Sequence, residues 1–531
     1  MAAANFSALT PLSFLDRSSR VWADKVAVVD GARTLTYAEL GQQAQDMARA
    51  LVAHGVGPGD RVIVLMPNVT EMLTAHFGVP LARAVLVAVN TRLSAEEVRW
   101  IVEHSGARIM LVHTRFRELA RAALSTLPGI TCVVTGSEPS LGGEGSWARF
   151  VATADGVDAL PWSVADENAA IALNYTSGTT GRPKGVLYTH RGAYLNALGE
   201  IIHSRHSTDS VYLWTLPMFH CNGWCTAWAV TAIGGRHICL EQMSGEAVWT
   251  TIRGHGVTHV NAAPTVLVSV INSEHAARLD TPVIVTTAGA PPSPTTISAL
   301  EALGYELIHV YGLTETYGPY AICEPQQSWS AAEPAEHARL KARQGVGMIQ
   351  ADALRVVTAD MADVPADGDT VGEVVMRGNN VMAGYFRDAA GTGEAFRGGW
   401  FHSGDLAVMH PDGYVELRDR AKDVVISGGE NISTIEVEQA LVSHPAVIEV
   451  AVVGVPDDKW GERPKAFVVT RPERPVTGAD LIEHVRARIA HYKAPRDVEF
   501  VGELPKTSTG KIQKFILKER EWAGQVSRIR G

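Results

Sequence analysis

Between residues 23 and 113 short apolar runs alternate with amphipathic stretches, a pattern that predicts βα units stacked into a layered sheet. Segments 61–66, 84–89 and 108–112 are almost continuously apolar and predict buried strands. Segment 37–53 has a helical period instead. It places Leu40, Ala44, Met47, Ala48 and Leu51 on one face and begins at a capping box of Thr36 and Glu39. Ser94 and Glu97 open a second helix in the same way. A further βα series predicts strands at 211–216, 237–240, 259–262, 282–287 and 305–311, and short strands at 354–357 and 372–377 suit a smaller barrel-like subdomain. After residue 419 the pattern restarts: strand 424–427, a third box at Ser433 and Glu436, strands 447–455 and 465–470, helix 477–491 and strand 498–501.

The expected fold is therefore α/β: a large N-terminal domain over 1–419, a short charged hinge at 420–423 and a small α+β C-terminal domain over 424–531. Segment 136–145 is a loop by composition, and no internal repeat or low-complexity tract interrupts the chain.

Composition narrows the picture without changing it. A chain of 531 residues with 46% hydrophobic and 20% charged residues is an ordinary globular protein, too long for a single core. Its formal net charge of -10 disfavours nucleic acid and anionic lipid as partners, so a site for anions must be locally positive. Cys132, Cys221, Cys225, Cys239 and Cys323 have no framework spacing, which points to reduced thiols and a cytoplasmic protein. His220, Cys221 and Cys225 lack C-x-x-C spacing, and a zinc site is not expected there. No window reaches about 18 uninterrupted apolar residues, so no membrane span is expected.

The candidate chemistry starts at Tyr175-Thr-Ser-Gly-Thr-Thr-Gly-Arg-Pro-Lys184-Gly185-Val186, which follows the apolar run at 171–174. Gly178 and Gly181 let backbone N–H groups converge on an anion. Thr176, Ser177, Thr179 and Thr180 add hydroxyls, and Lys184 adds a charge. The spacing is not that of a P-loop NTPase. Small residues in Thr287-Ala-Gly289-Ala290-Pro-Pro292 would let a flat ring approach the backbone. Asp405 is a carboxylate suited to accept from two hydroxyls. Asp412 reads as a turn residue, Asp419 as a surface charge and Lys506 as a solvated lysine.

Taken with Tyr311-Gly312-Leu-Thr314-Glu315-Thr-Tyr-Gly318, Pro217-Met-Phe-His220-Cys-Asn-Gly-Trp224, Ser427-Gly428-Gly429-Glu430-Asn-Ile-Ser433 and Leu504-Pro-Lys-Thr-Ser-Thr-Gly-Lys511, the loop resembles the signature of the adenylate-forming superfamily, over roughly residues 12 to 515. The resemblance is to its acyl-CoA synthetases, in particular short- and medium-chain and methylthiopropionate-CoA ligases. It implies an ATP-dependent acid–CoA ligase working through an acyl-AMP, with ATP, Mg²⁺ and coenzyme A beside a small carboxylic acid. It also implies roles. The signature loop grips phosphate, and Thr176 and Glu315 hold Mg²⁺. Gly289, Ala290, Tyr311, Gly312 and Thr314 line the nucleotide, with Asp405 and Arg420 on the ribose. His220 and Trp224 border the acyl pocket with Gly289 and Tyr311, while Lys511 is the catalytic charge. Lys422 marks the hinge of a mobile small domain, and Gly428, Gly429 and Glu430 flank the pantetheine arm. Trp460 either packs under that loop or anchors the small domain. Ile426, where some long-chain members carry a lysine near the nucleotide, argues against long-chain acids and against that contact. Alternatives are another acid or acceptor, such as a carrier-protein thiol or nitrite as in diazotases, and a silent ATP-binding protein; a homodimer is an open option.

Overall fold

The computed structural model describes residues 4–523 apart from 137–144, 177–182, 290, 291, 293, 429, 458, 508 and 509. Two large sheets, mostly parallel, make the bulk of the chain. The eight-stranded sheet runs in the order Gly384–Tyr385, Gly185–Thr189, Ala170–Tyr175, Val85–Ala88, Arg61–Leu65, Ile109–His113, Thr131–Thr135, Gly145–Ser146. The nine-stranded sheet centres on Val211–Leu213, His259–Ala262, Val283–Thr287 and Tyr305–Leu313. Helix Tyr37–Ala53 has both capping-box bonds and buries Leu40, Ala44, Met47, Ala48 and Leu51, as its periodicity predicts. It packs on helix Thr70–Leu81, which touches strands of both sheets and is buried from Met72 to Leu81. A helix apolar all round is what a site between two sheets requires.

The barrel-like unit takes the form of a four-stranded antiparallel sheet, Arg355–Val357, Gly372–Met376, Phe401–Met409 and Val415–Arg420. Beyond it a separate five-stranded sheet begins at Val425–Ser427, and the helices Thr434–Val442, Gly478–Arg486 and Lys514–Trp522 accompany it. Its long antiparallel pair, Val447–Asp457 with Gly461–Thr470, extends further than the apolar pattern indicates, because backbone pairing continues through the polar ends. Helix Gly478–Arg486 is shorter than expected and is followed by a 3₁₀ turn, His491–Lys493.

One local expectation is corrected here. The box at Ser433 is only half formed: Ser433 accepts from the Glu436 N–H at 3.2 Å, but the Glu436 carboxylate is drawn away by the Lys493 amine at 2.7 Å. An ion pair to a side chain across the domain outcompetes the bond back to the helix start. A complete box lies instead at Thr477 and Asp480.

Candidate active site

The ends of three strands deliver the candidate residues to one cleft. The strand Ala170–Tyr175 leads into the signature loop, where the Thr176 N–H bonds the Lys184 carbonyl at 3.0 Å and closes its base. Ser177, Gly178, Thr179, Thr180 and Gly181, together with Ala290 and Gly429, lie outside the described residues. Gly289, at the end of Val283–Thr287, sits at φ +95° with open space where a side chain would stand. Tyr305–Leu313 carries Tyr311 and hands on to the 3₁₀ turn Thr314–Thr316, which holds Glu315.

Glu315 is fixed from two sides. Its Oε1 accepts from the Tyr385 hydroxyl at 2.9 Å, and its carbonyl accepts from the Met382 N–H at 2.7 Å. The Lys184 amine stands 4.5 Å from the centre of the same Tyr385 ring, so one aromatic links the signature loop to the glutamate. Next to it, Tyr188 donates to the Thr314 carbonyl at 2.5 Å and stacks on Tyr317 at 3.7 Å. Sequence reading missed Tyr188 and Tyr385. The Gly384–Tyr385 strand joins 185–189 across about two hundred residues and is too short to show a period.

The ribose candidates are wired to one another. The Tyr311 hydroxyl donates to Asp405 Oδ2 at 2.7 Å, and the Arg420 guanidinium pairs with Oδ1 at 3.1 Å. Asp405 is only 4% exposed, and antiparallel pairing sets it directly opposite Arg420. Burial, then the neighbouring carboxylate, pushes the Tyr311 hydroxyl far above its ordinary pKa, so it stays a donor. Of the alternative acids, Asp412 makes a two-oxygen pair with Arg343 at 2.9 and 3.1 Å. Asp419 is no surface charge. It is 3% exposed and accepts from the Thr434 backbone and side chain, because the strand that carries it turns its carboxylate inward toward the next domain.

In the segment expected to border the acyl pocket, Cys221, Asn222, Gly223, Trp224 and Cys225 all have positive φ, between 42° and 62°, which makes the turn after His220 left-handed. Each non-glycine residue in that conformation costs roughly 1–2 kcal/mol. Asn174 offsets part of this: its amide oxygen accepts from the Cys221 and Asn222 N–H groups at 3.1 and 2.9 Å, in the amide orientation that satisfies both sides. Gly223 is needed twice over, for its φ of +55° and because a side chain would stand 2.7 Å from Trp214. The turn packs Trp224, 5% exposed, against Gly318, where a Cβ would lie 2.9 Å from the indole. Burial, and then the Lys511 charge, lowers the His220 pKa to about 4, so its imidazole is neutral near pH 7. Burial drives the Cys221 thiol up to about 12, leaving it an inert thiol.

Lys511 comes from the small domain. Its amine is solvent-accessible yet walled in by the cleft, and this enclosure, with Arg420 as the next cause and Asp405 partly opposing, lowers its pKa to about 8. Its backbone N–H donates to the Thr507 hydroxyl at 3.0 Å, while its amine makes no hydrogen bond or ion pair among the described residues. Gly510 has φ +81°, and any side chain there would run into the Thr265 hydroxyl of helix Pro264–Ile271. Lys422 is exposed at the junction, its pKa lowered first by partial enclosure and eased by Asp423. Lys506 is not simply solvated: it pairs at 2.6 Å with Glu449 of the strand Val447–Asp457. Gly428 donates its N–H to the Trp460 carbonyl at 2.8 Å and would place a Cβ 2.5 Å from the indole, so Trp460 packs under that loop. Glu430 is exposed at the start of the strand Glu430–Ile432.

Known proteins are similar to this chain over both of its parts. Residues 15–386 match the family described as AMP-binding enzyme, and residues 436–511 match the AMP-binding enzyme C-terminal domain. An acetate–CoA ligase (CCL3) of Humulus lupulus is 44% identical over 545 residues, spanning 98% of this chain and 95% of the relative. A 2-methylpropanoate–CoA ligase (CCL4) of the same plant is 41% identical over 531 residues, spanning 97% and 96%. The crystal structure of the anthranilate CoA ligase AuaEII in complex with anthranoyl-AMP superposes with a TM-score of 0.87 at 27% identity, covering 98% of this chain and 99% of that one. The chain belongs to the AMP-binding enzymes and is an ATP-dependent, AMP-forming acid–CoA ligase.

Proposed function

We propose that this ligase activates short aliphatic carboxylic acids, and that the residues named above carry the chemistry as follows. A substrate carboxylate attacks the α-phosphorus of ATP and pyrophosphate leaves. The CoA thiol then attacks the acyl carbonyl, loses its proton and displaces AMP. Asp405 and Arg420 hold the ribose, Tyr311 and Gly289 the adenine, and Lys511 the phosphoryl charge of the first step. The attacking carboxylate is ionised at neutral pH, so the first step needs no general base, and a neutral His220 can sit beside it without titrating.

The observation that carries the size preference is Trp224. Its indole, held by the left-handed turn and seated on Gly318, is buried in a cluster with Ala288 and Val310, and at the border of the acyl pocket, where the resemblance puts it, it would shorten that pocket. The acids in the names of two relatives, acetate and 2-methylpropanoate, are of that size.

The proposal extends to the layout: a large domain over 1–419, a hinge at 420–423 centred on Lys422 and a small domain over 424–531 that rotates between the two steps. In the second orientation Gly428, Gly429 and Glu430 would flank the thiol. Glu315 and Thr176 are hard oxygen donors of the kind Mg²⁺ takes, and Glu315 spends only Oε1 on a protein partner among the described residues. Bound there, the ion would supply charge neutralisation to the phosphates.

No helix among the described residues is long and apolar enough to cross a membrane. A cytoplasmic home is a further part of the proposal and rests on Cys221, Cys225, Cys239 and Cys323, buried thiols that form no disulfide.

The test is pyrophosphate release over straight and branched acids of increasing length, each with and without CoA. Rates are expected to peak among short acids, with CoA consumed one for one. A peak among long-chain or aromatic acids contradicts the size reading, and release without CoA consumption points to another acceptor.

A further inference from the structure

The burial of Asp419 asks for a reason, because it stands at the junction between the two domains. It lies on the strand Val415–Arg420, where Leu406 pairs with Asp419 in the four-stranded sheet, so it is held by the large domain. Its Oδ2 accepts from the Thr434 N–H at 2.6 Å and from the Thr434 hydroxyl at 2.8 Å. Thr434 is the first residue of helix Thr434–Val442 in the small domain, where the unpaired N–H groups and the helix dipole favour a carboxylate. Having donated to Asp419, the Thr434 hydroxyl accepts from the Lys514 amine at 2.6 Å, and that amine also pairs with Glu438 at 2.7 Å. Ser433 adds a bond from its hydroxyl to the Arg418 carbonyl. Lys514 opens the last helix, Lys514–Trp522, one short segment after Lys511.

We propose that Asp419, Thr434 and Lys514 form an interdomain latch that holds the small domain in the orientation placing Lys511 in the cleft, which makes them positioning residues for adenylate formation. The chain of bonds starts on the large-domain strand that carries Arg420 and ends beside the segment that carries Lys511. A rotation about Lys422 moves Thr434 and Lys514 while leaving Asp419 on its sheet, so the latch must open before the thiol step. Opening is affordable because it returns the Asp419 carboxylate to water, where it carries no burial penalty, while Lys514 keeps Glu438 as its partner. Removing Asp419 leaves the buried Thr434 N–H and hydroxyl without their acceptor, and removing Lys514 leaves the buried Asp419 carboxylate and the Glu438 carboxylate without the cation beside them, which tips the balance toward the rotated state.

The proposal rests on the two-step reading above, and Lys511→Ala separates the two. The readouts are ATP–pyrophosphate exchange with 2-methylpropanoate, and thioester formation from supplied 2-methylpropanoyl-AMP and CoA. Asp419→Ala, Thr434→Val and Lys514→Met should each lower exchange about tenfold and leave the thioester step unchanged or faster. Thr434→Ser, which keeps the hydroxyl, should behave as the native chain. Glu449→Gln, which breaks an ion pair inside the small domain, should do the same. Dyes at the exposed Glu96 and Glu519 should report a changed interdomain distance in the three latch variants with no acid present. If Lys511→Ala retains exchange, the reading beneath the proposal fails. If Lys511→Ala loses exchange while the latch variants keep it, or lose both steps together with no distance change, the latch is overturned.

Discussion

The wall of the cleft built from Tyr311, Asp405 and Arg420 and the wall supplied by Lys511 are held by different means. The first is a set of short bonds, 2.7 and 3.1 Å, that ties Asp405 and Arg420, on neighbouring strands of the four-stranded sheet, to Tyr311 of the nine-stranded one. The second is a lysine amine without a hydrogen-bonded partner among the described residues, delivered by a loop whose Gly510 fits against Thr265 only because it lacks a side chain. A group needed for both half-reactions can be fixed. A group needed for one must be able to leave, so its position depends on domain packing rather than on local bonds. The difference predicts which substitutions affect one step and which affect both.

Lys511→Ala should have the largest effect: a loss of about 3 kcal/mol of transition-state stabilisation, or about a hundredfold, in adenylate formation. Thioester formation from supplied acyl-AMP should survive, and single-turnover assays of each step will show it. Gly510→Val should lower adenylation by about tenfold or more, through the clash with Thr265 and the strain of a β-branched residue at φ +81°. Thr265→Ala should return part of that loss. Asp405→Asn should instead impair both steps, since the proposed ribose contact would be needed in each. Loss of the charge facing Arg420 should raise the KM for ATP about tenfold.

The smallest expected effect is on pH dependence. The Lys511 amine is charged below its pKa of about 8 and loses that charge as the pH rises through it. The kcat/KM of adenylation for ATP, which reports the free enzyme, should therefore fall above about pH 8. The thioester step should not share that descending limb, and Lys511→Arg should remove it because a guanidinium does not titrate there.

Much of the first wall was legible in the sequence, because its residues sit in motifs that follow recognisable apolar strands. Tyr311 and Glu315, near the end of a strand of a layered sheet, do converge with Asp405 and Arg420, which antiparallel pairing sets opposite each other. What was not legible depends on long-range pairing. The Gly384–Tyr385 strand brings Tyr385 to Glu315 and Lys184, and no local pattern announces it. Asp419 reads as a surface charge in a run of charged residues, and only its partner helix shows that it is buried. The left-handed turn at 221–225 is hidden for another reason: only Gly223 marks it, while four other residues adopt φ values they ordinarily avoid. Its support comes from Asn174, on a strand far away in the sequence. Lys506 and Lys511 could not be told apart by charge, but the Glu449 partner of the one and the cleft around the other separate them.

Mixing the enzyme with ATP, Mg²⁺ and 2-methylpropanoate, then quenching before and after adding CoA, tests most directly whether one cleft serves two steps in order. The expected result is up to one acyl-AMP per chain and released pyrophosphate without CoA, followed on its addition by loss of the acyl-AMP and matched appearance of AMP and thioester. Pyrophosphate release that waits for CoA, with no acyl-AMP at any time, would contradict it.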